Sequence, residues 1–143
     1  MEKIKIQIIT LSDRASKGIY EDKSGPAIKK LLKAHFADKE CNISIDVIPD
    51  DRKTLKKLLE KYYQEEVDAV FTTGGTGVGP RDITPEVVTE FSDKVIPGIM
   101  EHIRIKYGEK FPNALLSRSI AALKGKMVIY SLPGSVKAAS EYT

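Results

Sequence analysis

Between Thr73 and Pro85 the chain gathers the residue types that hold phosphate. Four of the six residues after Thr73 are glycine (Gly74, Gly75, Gly77 and Gly79), and an acid, Asp82, follows them. A short apolar run, Val70-Phe71, comes first and reads as the end of a buried strand. Thr84 and Pro85 read as the N-cap and first residue of a helix. Glycine lets the backbone take positive φ and lets a ligand come close to the main chain. Successive N–H groups in such a loop form a concavity for anions, phosphates above all. The carboxylate adds a hard oxygen of the kind that Mg²⁺ takes as ligand.

Two familiar phosphate motifs are excluded. A Walker loop ends in Gly-Lys-Ser/Thr, whereas Gly79 is followed by Pro80-Arg81. The dinucleotide fingerprint G-x-G-x-x-G fits Gly75 and Gly77 but finds Pro80 at its last glycine. The stretch is a glycine-rich anion loop of another kind, carrying its own carboxylate. The structural alternative is a tight strand-to-helix connection, and four glycines exceed what such a turn needs.

The elements that must position this loop follow from hydrophobic period. Residues 4–11 alternate and then turn fully apolar, as a strand entering a buried sheet does. A polar loop follows at 12–16. Capping residues at 21–26 open a helix that runs to about residue 36, with Ile28, Leu31, Leu32 and His35 at helical spacing. Residues 42–48 alternate as a second strand. Asp51 is placed to cap a helix over 52–65, with Leu55, Leu58, Leu59 and Tyr62 on one face and Lys53, Lys56, Lys57 and Lys61 on the other. Residues 68–73 form a third strand, and 85–91 a short helix. Ile96, Ile99, Met100, Ile103 and Tyr107 mark a further helix. Segments 115–123 and 127–132 flank Lys124-Gly125-Lys126 as a hairpin, Pro133-Gly134-Ser135 closes it, and 137–141 reads as the first turn of another helix.

Alternating strands and helices predict a three-layer αβα fold: an open, mostly parallel sheet with helices on both faces and a hairpin at the end. Right-handed crossovers put every loop that leaves a parallel strand on one sheet edge, where such folds bind ligands. Those loops are 12–16, 49–51, 74–82 and 133–135. Together they hold hydroxyls, arginine, acids and the glycine loop. Phosphoryl or nucleotidyl chemistry is the expectation.

Composition narrows the classes. The length of 143 residues suits one domain, and 41% hydrophobic with 30% charged residues excludes a disordered or fibrous chain. The net charge of +3 comes from lysines on a solvated helix face, which does not point to nucleic acid. Cys41 is the single cysteine, so no internal disulfide can form, which points to a cytoplasmic compartment. His35 and His102 stand apart on helical patterns and read as packing or surface residues. Neither a leader peptide nor a membrane span is apparent in the sequence.

With these segments in view, the chain resembles the MogA/MoaB family of molybdenum cofactor biosynthesis. The matching stretches are Leu11-Ser-Asp-Arg-Ala-Ser16 with Tyr20-Glu-Asp22, Ile48-Pro-Asp50, Thr72-Thr-Gly-Gly-Thr-Gly77 with Arg81-Asp-Ile-Thr-Pro85, Leu116-Ser-Arg118, and Leu132-Pro-Gly-Ser135. They lie in family order and cover essentially the whole chain as one molybdopterin-binding domain. The resemblance implies molybdopterin adenylyltransferase activity: AMP passes from Mg²⁺-ATP to the terminal phosphate of molybdopterin, and pyrophosphate leaves. It also implies that Asp50 and Asp82 are the catalytic, Mg²⁺-holding carboxylates and that Gly74, Gly75, Thr76 and Gly77 cradle phosphate. Ser12, Arg14, Ser117, Pro133, Gly134 and Ser135 would line the pterin and phosphate pocket. A homotrimer and hand-over to a molybdenum-inserting enzyme are implied as well.

Structural roles stand beside these. Asp50 fits a helix N-terminal acid, Asp51 a cap, Asp82 a local cap near Thr84, and Arg14 and Arg118 ordinary surface pairs. The alternatives in function are a paralogue that binds pterin or nucleotide without transfer, and a scaffold module of the gephyrin kind. The sequence departs from the family pattern twice. Val136 stands where a second proline is usual, and the chain stops at Thr143 where family members continue through at least one more helix. The expectation is a weakened pterin wall and lower stability than in a family-length chain.

Overall fold

A computed structural model of the chain describes residues 3–135, 137, 138 and 143. The strands are β1 (Ile4–Leu11), β2 (Cys41–Ile48), β3 (Ala69–Thr73), β4 (Lys94–Val95), β5 (Ala121–Lys124) and β6 (Met127–Leu132). The helices are α1 (Asp13–Ser16), α2 (Ser24–His35), α3 (Arg52–Gln64), α4 (Thr84–Phe91) and α5 (Pro97–Gly108), with a 3-10 helix at Pro112–Leu116. One six-stranded sheet runs in the order β2-β1-β3-β6-β5-β4. Strands β1, β2, β3 and β6 are parallel; β5 is antiparallel to β6, and β4 to β5. The expected α/β class, layering and final hairpin are all present.

Both faces of the sheet are covered, which is why β1 ends as a continuously buried run, Ile8 to Leu11. On one face Ile9, Val70 and Ile129 pack with Leu55 and Leu59 of α3 and Val87 and Val88 of α4. On the other, Ile6, Ile8 and Leu132 pack with Ile28 and Leu32 of α2 and Met100 of α5. The lysines of α3 face solvent, as its period predicts. Asp51 caps α3, accepting from the Thr54 N–H at 2.9 Å. At the start of α2 the cap comes from Asp22, which accepts from the Gly25 N–H at 3.1 Å.

Three expectations are corrected. Residues 12–16 are not irregular: the Ser12 hydroxyl accepts from the Ala15 N–H at 3.1 Å and closes one helical turn. Thr84 is not the cap of α4, whose N-cap is Ile83, without a side-chain bond. Its hydroxyl is drawn away to the Gly74 carbonyl, 3.0 Å distant and buried. Segment 115–123 is not one strand. Pro112 opens the 3-10 helix, Ser117 to Ile120 run outside regular structure, and pairing with β6 begins only at Ala121. The two-residue β4 was too short to register as a period. Val136 and residues 139–142 lie outside the described residues, and with them the expectations for the missing proline and for most of the last helix.

Candidate active site

Four loops leave the carboxyl ends of β1, β2, β3 and β6, and they interlock. After β1, the Asp13 N–H donates to Asp50 Oδ2 at 3.2 Å, and the Asp50 N–H donates back to Asp13 Oδ1 at 3.0 Å. This reciprocal pair ties the loop after β1 to the loop after β2. Arg81, from the glycine loop, then grips Asp13 with two parallel bonds of 3.0 and 2.7 Å. The loops after three strands are thus fastened at one place.

The glycine loop turns through two consecutive left-handed residues, Gly74 (φ +98°) and Gly75 (φ +71°). A Cβ on Gly74 would run into the Leu11 carbonyl, and one on Gly75 into the Thr84 hydroxyl. Only glycine serves at either position. Asp82 folds back over the loop, its Oδ2 accepting from the Gly79 N–H at 2.9 Å, and a Cβ on Gly77 would sit 2.8 Å from that same oxygen. From the next strand, the Pro133 carbonyl accepts from the Thr73 hydroxyl at 2.7 Å, and Gly134 lies against the Gly74 Cα.

Two clefts flank this crossing. The first, about 260 Å³, is lined by Ser12, Tyr20, Asp22, Asp50, Asp82 and the Gly74-Gly75 backbone, among others. The second, about 420 Å³, is lined by Thr76, Gly77, Phe111, Leu116, Ser117 and the 133–135 turn, among others. Gly134 borders both. Of the residues expected at the site, Arg14 alone lines neither cleft. It lies exposed, with its guanidinium 5.6 Å from the centre of the Tyr20 ring. The sequence reading gave no site role to Asp13, Arg81, Tyr20 or Asp22, although each sits inside one of the quoted motifs. Nothing in it pointed to Phe111.

Residues 7–143 match a family model described as a probable molybdopterin binding domain. The chain belongs to this family. The molybdopterin adenylyltransferase of Helicobacter pylori (strain ATCC 700392 / 26695) is 40% identical over 142 residues, covering 99% of this chain and 80% of that protein. Among solved structures, the molybdopterin biosynthesis enzyme MoaB of Thermus thermophilus superposes with a TM-score of 0.87 at 35% identity, covering 97% of this chain and 86% of that one. The molybdopterin biosynthesis Mog protein of Mycobacterium ulcerans gives a TM-score of 0.89 at 31% identity, over 99% and 88%.

In this molybdopterin-binding domain the acids of the first cleft differ in their electrostatics. Burial raises the pKa of Asp50 above the ordinary carboxylate value; the hydrogen bond with Asp13 and the charge of Arg81 oppose this, and the charges of Asp13 and Asp82 reinforce it. Asp13 is held below the ordinary value, first by the Arg81 side chain and then by the Asp50 N–H. Asp50 and Asp82 each engage Oδ2 with a backbone N–H, and each keeps Oδ1 without a hydrogen-bond partner among the described residues. Among those residues no group of three or more His, Cys, Asp or Glu converges on one point. Such a pair does not make an all-protein cage. It fits Mg²⁺, which takes one or two carboxylates and completes its octahedron with phosphate and water. No helix among the described residues is long and apolar enough to cross a membrane.

Proposed function

We propose that the protein is a molybdopterin adenylyltransferase. Its reaction joins an oxygen of the terminal phosphate of molybdopterin to the α-phosphorus of ATP and breaks the bond to the β-phosphate oxygen, so that pyrophosphate leaves. One observation carries the reading: two carboxylates from different strand ends, each with one oxygen unengaged among the described residues, share a cleft with a glycine loop, and a second cleft opens across the same loop.

Each residue has work that its surroundings allow. The nucleophile is a phosphate oxygen, already anionic, so the site needs alignment and charge neutralisation rather than a strong base. Asp50 and Asp82 are the catalytic carboxylates and would hold Mg²⁺, which when bound neutralises charge on the reacting phosphates. Ser12 stands at the edge of this cleft, and the Gly74–Gly77 backbone bounds the phosphates. Ser117, Pro133, Gly134 and Ser135 receive the pterin, with Phe111 and Leu116 supplying an apolar wall. Arg14 has no contact with either ligand on this reading and acts only by backing Tyr20.

The proposal takes residues 1–143 as one domain, working as a homotrimer in the cytoplasm and passing adenylylated molybdopterin to the enzyme that inserts molybdenum. The H. pylori relative and the family match support the substrate pair. The test is to incubate the protein with Mg²⁺-ATP and molybdopterin and to follow adenylylated molybdopterin and pyrophosphate. Formation of both in equal amounts is the expected result. Ligand binding without either product would move the reading to a binding paralogue.

A further inference from the structure

Arg118 lies in the irregular passage between the 3-10 helix and β5, next to Ser117 of the second cleft. It lines neither that cleft nor the first; it borders a third, on the outer side of the glycine loop, with Val78, Gly79, Asp82 and Glu86. Its bonds run instead to the glycine loop. The backbone N–H donates to the Thr76 carbonyl at 2.8 Å. Nε donates to the Gly77 carbonyl at 2.7 Å and Nη2 to the Asp82 carbonyl at 2.8 Å, while Nη1 pairs with the Glu86 carboxylate on α4. One residue thus grips the loop at its middle, at its end and at the helix that follows.

Among the described residues the loop has little else to fix it over this span. Between Gly77 and Asp82, the internal bonds are Asp82 N–H to the Gly79 carbonyl, 3.1 Å, and Gly79 N–H to Asp82 Oδ2. Val78 and Gly79 are exposed, so apolar packing does not hold them. Arg81 anchors the far end through Asp13, but its side chain is 65% exposed, and exposed ion pairs hold geometry weakly. A guanidinium can meet three acceptors at once because its five N–H groups lie in a rigid plane; an ammonium is a point donor on a flexible stem.

We propose that Arg118 is a positioning residue: it fixes the main chain on both sides of Val78-Arg81 and thereby sets the Asp82 carboxylate opposite Asp50. Arg118 lies outside the two clefts assigned to the substrates and acts through Asp82. This rests on the assignment of Asp82 given above, but it can fail separately.

The test uses the full chain with Arg118→Gln, Asp82→Asn and the double substitution. Three quantities are measured: adenylylation kinetics, binding of Mn²⁺ (as a probe for the Mg²⁺ site) with a non-hydrolysable ATP analogue, and the thermal midpoint. Arg118→Gln is expected to lower kcat at least about tenfold, the equivalent of about 1.4 kcal/mol, with the KM for molybdopterin nearly unchanged. Mn²⁺ affinity should fall in Arg118→Gln and in Asp82→Asn, and the double variant should lose no more than about twofold beyond Asp82→Asn alone, because coupled residues do not add. Arg118→Lys keeps the charge but not the fork, and should resemble Arg118→Gln; it also carries the test if the glutamine variant does not fold. Losses that multiply in the double variant, or unchanged Mn²⁺ binding in folded Arg118→Gln, would overturn the proposal. If the wild type binds Mn²⁺ and the analogue but transfers no AMP, the activity assignment fails, and the binding cycle still decides the role of Arg118.

Discussion

The two clefts beside Gly134 share a strand-end loop and differ in almost everything else. The first is walled by Asp22, Asp50 and Asp82, from the loops after β1, β2 and β3. The second is walled by Phe111, Leu116, Pro133 and Ala138, with Thr76, Ser117 and Ser135 as its hydroxyls and Lys137, over the Phe111 ring, as its one charge among the described residues. Carboxylates are concentrated in the first cleft and apolar surface in the second. The glycine loop separates them with bare backbone, so two ligands of opposite character can approach the same few atoms.

The sharpest way to break this division is Asp82→Asn, which keeps the shape and removes a charge from the first cleft alone. Turnover should fall about a hundredfold if roughly 3 kcal/mol of transition-state stabilisation is lost, while molybdopterin affinity, measured by titration, should hold. Normal turnover would mean that the acids of the first cleft are not its working parts.

Next in size is the separation of Asp50 from Asp51. Asp51 caps α3 and lines neither cleft, so Asp51→Ala should cost about 1 kcal/mol of stability and leave turnover largely intact. Asp50→Ala should abolish most turnover with a smaller effect on the thermal midpoint. Swapped phenotypes would shift the active carboxylate by one residue.

On the other side, Ser117→Ala should weaken molybdopterin binding by about fivefold, in keeping with about 1 kcal/mol for one hydrogen bond, and leave ATP-analogue binding unchanged. Its hydroxyl also meets that of Ser119 at 2.9 Å, so a thermal scan must accompany the titration. Equal losses for both ligands would erase the distinction between the clefts.

The smallest effect concerns pH. The folded pKa of Asp50 is raised, mainly by burial, so its ionised form is disfavoured in the folded state. The stability linked to its proton is present at low pH and is lost as pH rises through the raised value. Asp50→Asn should therefore unfold slightly higher than the wild type near neutrality, and the gap should close in acid. Asp13 runs the other way: its pKa is lowered, so its contribution exists above the unfolded value of 3.8 and disappears as pH falls through the folded one. A midpoint for Asp50→Asn below the wild type at pH 7 would contradict the stated cause.

The strand and helix order was legible because its periods are local and strong, and the convergence of Asp50 with Asp82 followed from the rule that parallel strands share an edge. What escaped was non-local bonding. The Thr84 hydroxyl has the chemistry of a cap, but Gly74 in its left-handed turn presents a buried carbonyl that takes it instead. Arg118 reads as one half of a surface ion pair, and it does pair with Glu86; its further bonds go to main-chain carbonyls, which leave no mark in a sequence. Arg14 read as a pocket residue because it sits in a motif with Ser12, yet the helical turn after Ser12 leaves it in solvent.

The position of β6 has a consequence for biosynthesis. It is the last strand in sequence among the described residues, yet it lies inside the sheet, between β3 and β5. As the chain leaves the ribosome, β3 can pair with β1 on one side only, and its other edge waits for residues 127–132. An unpaired strand edge invites pairing with other chains. Gly134 borders both clefts and follows β6 in the chain, so neither cleft is complete until residues 127–135 have emerged, and a nascent chain stalled before β6 carries Asp50, Asp82 and the glycine loop without either cleft closed.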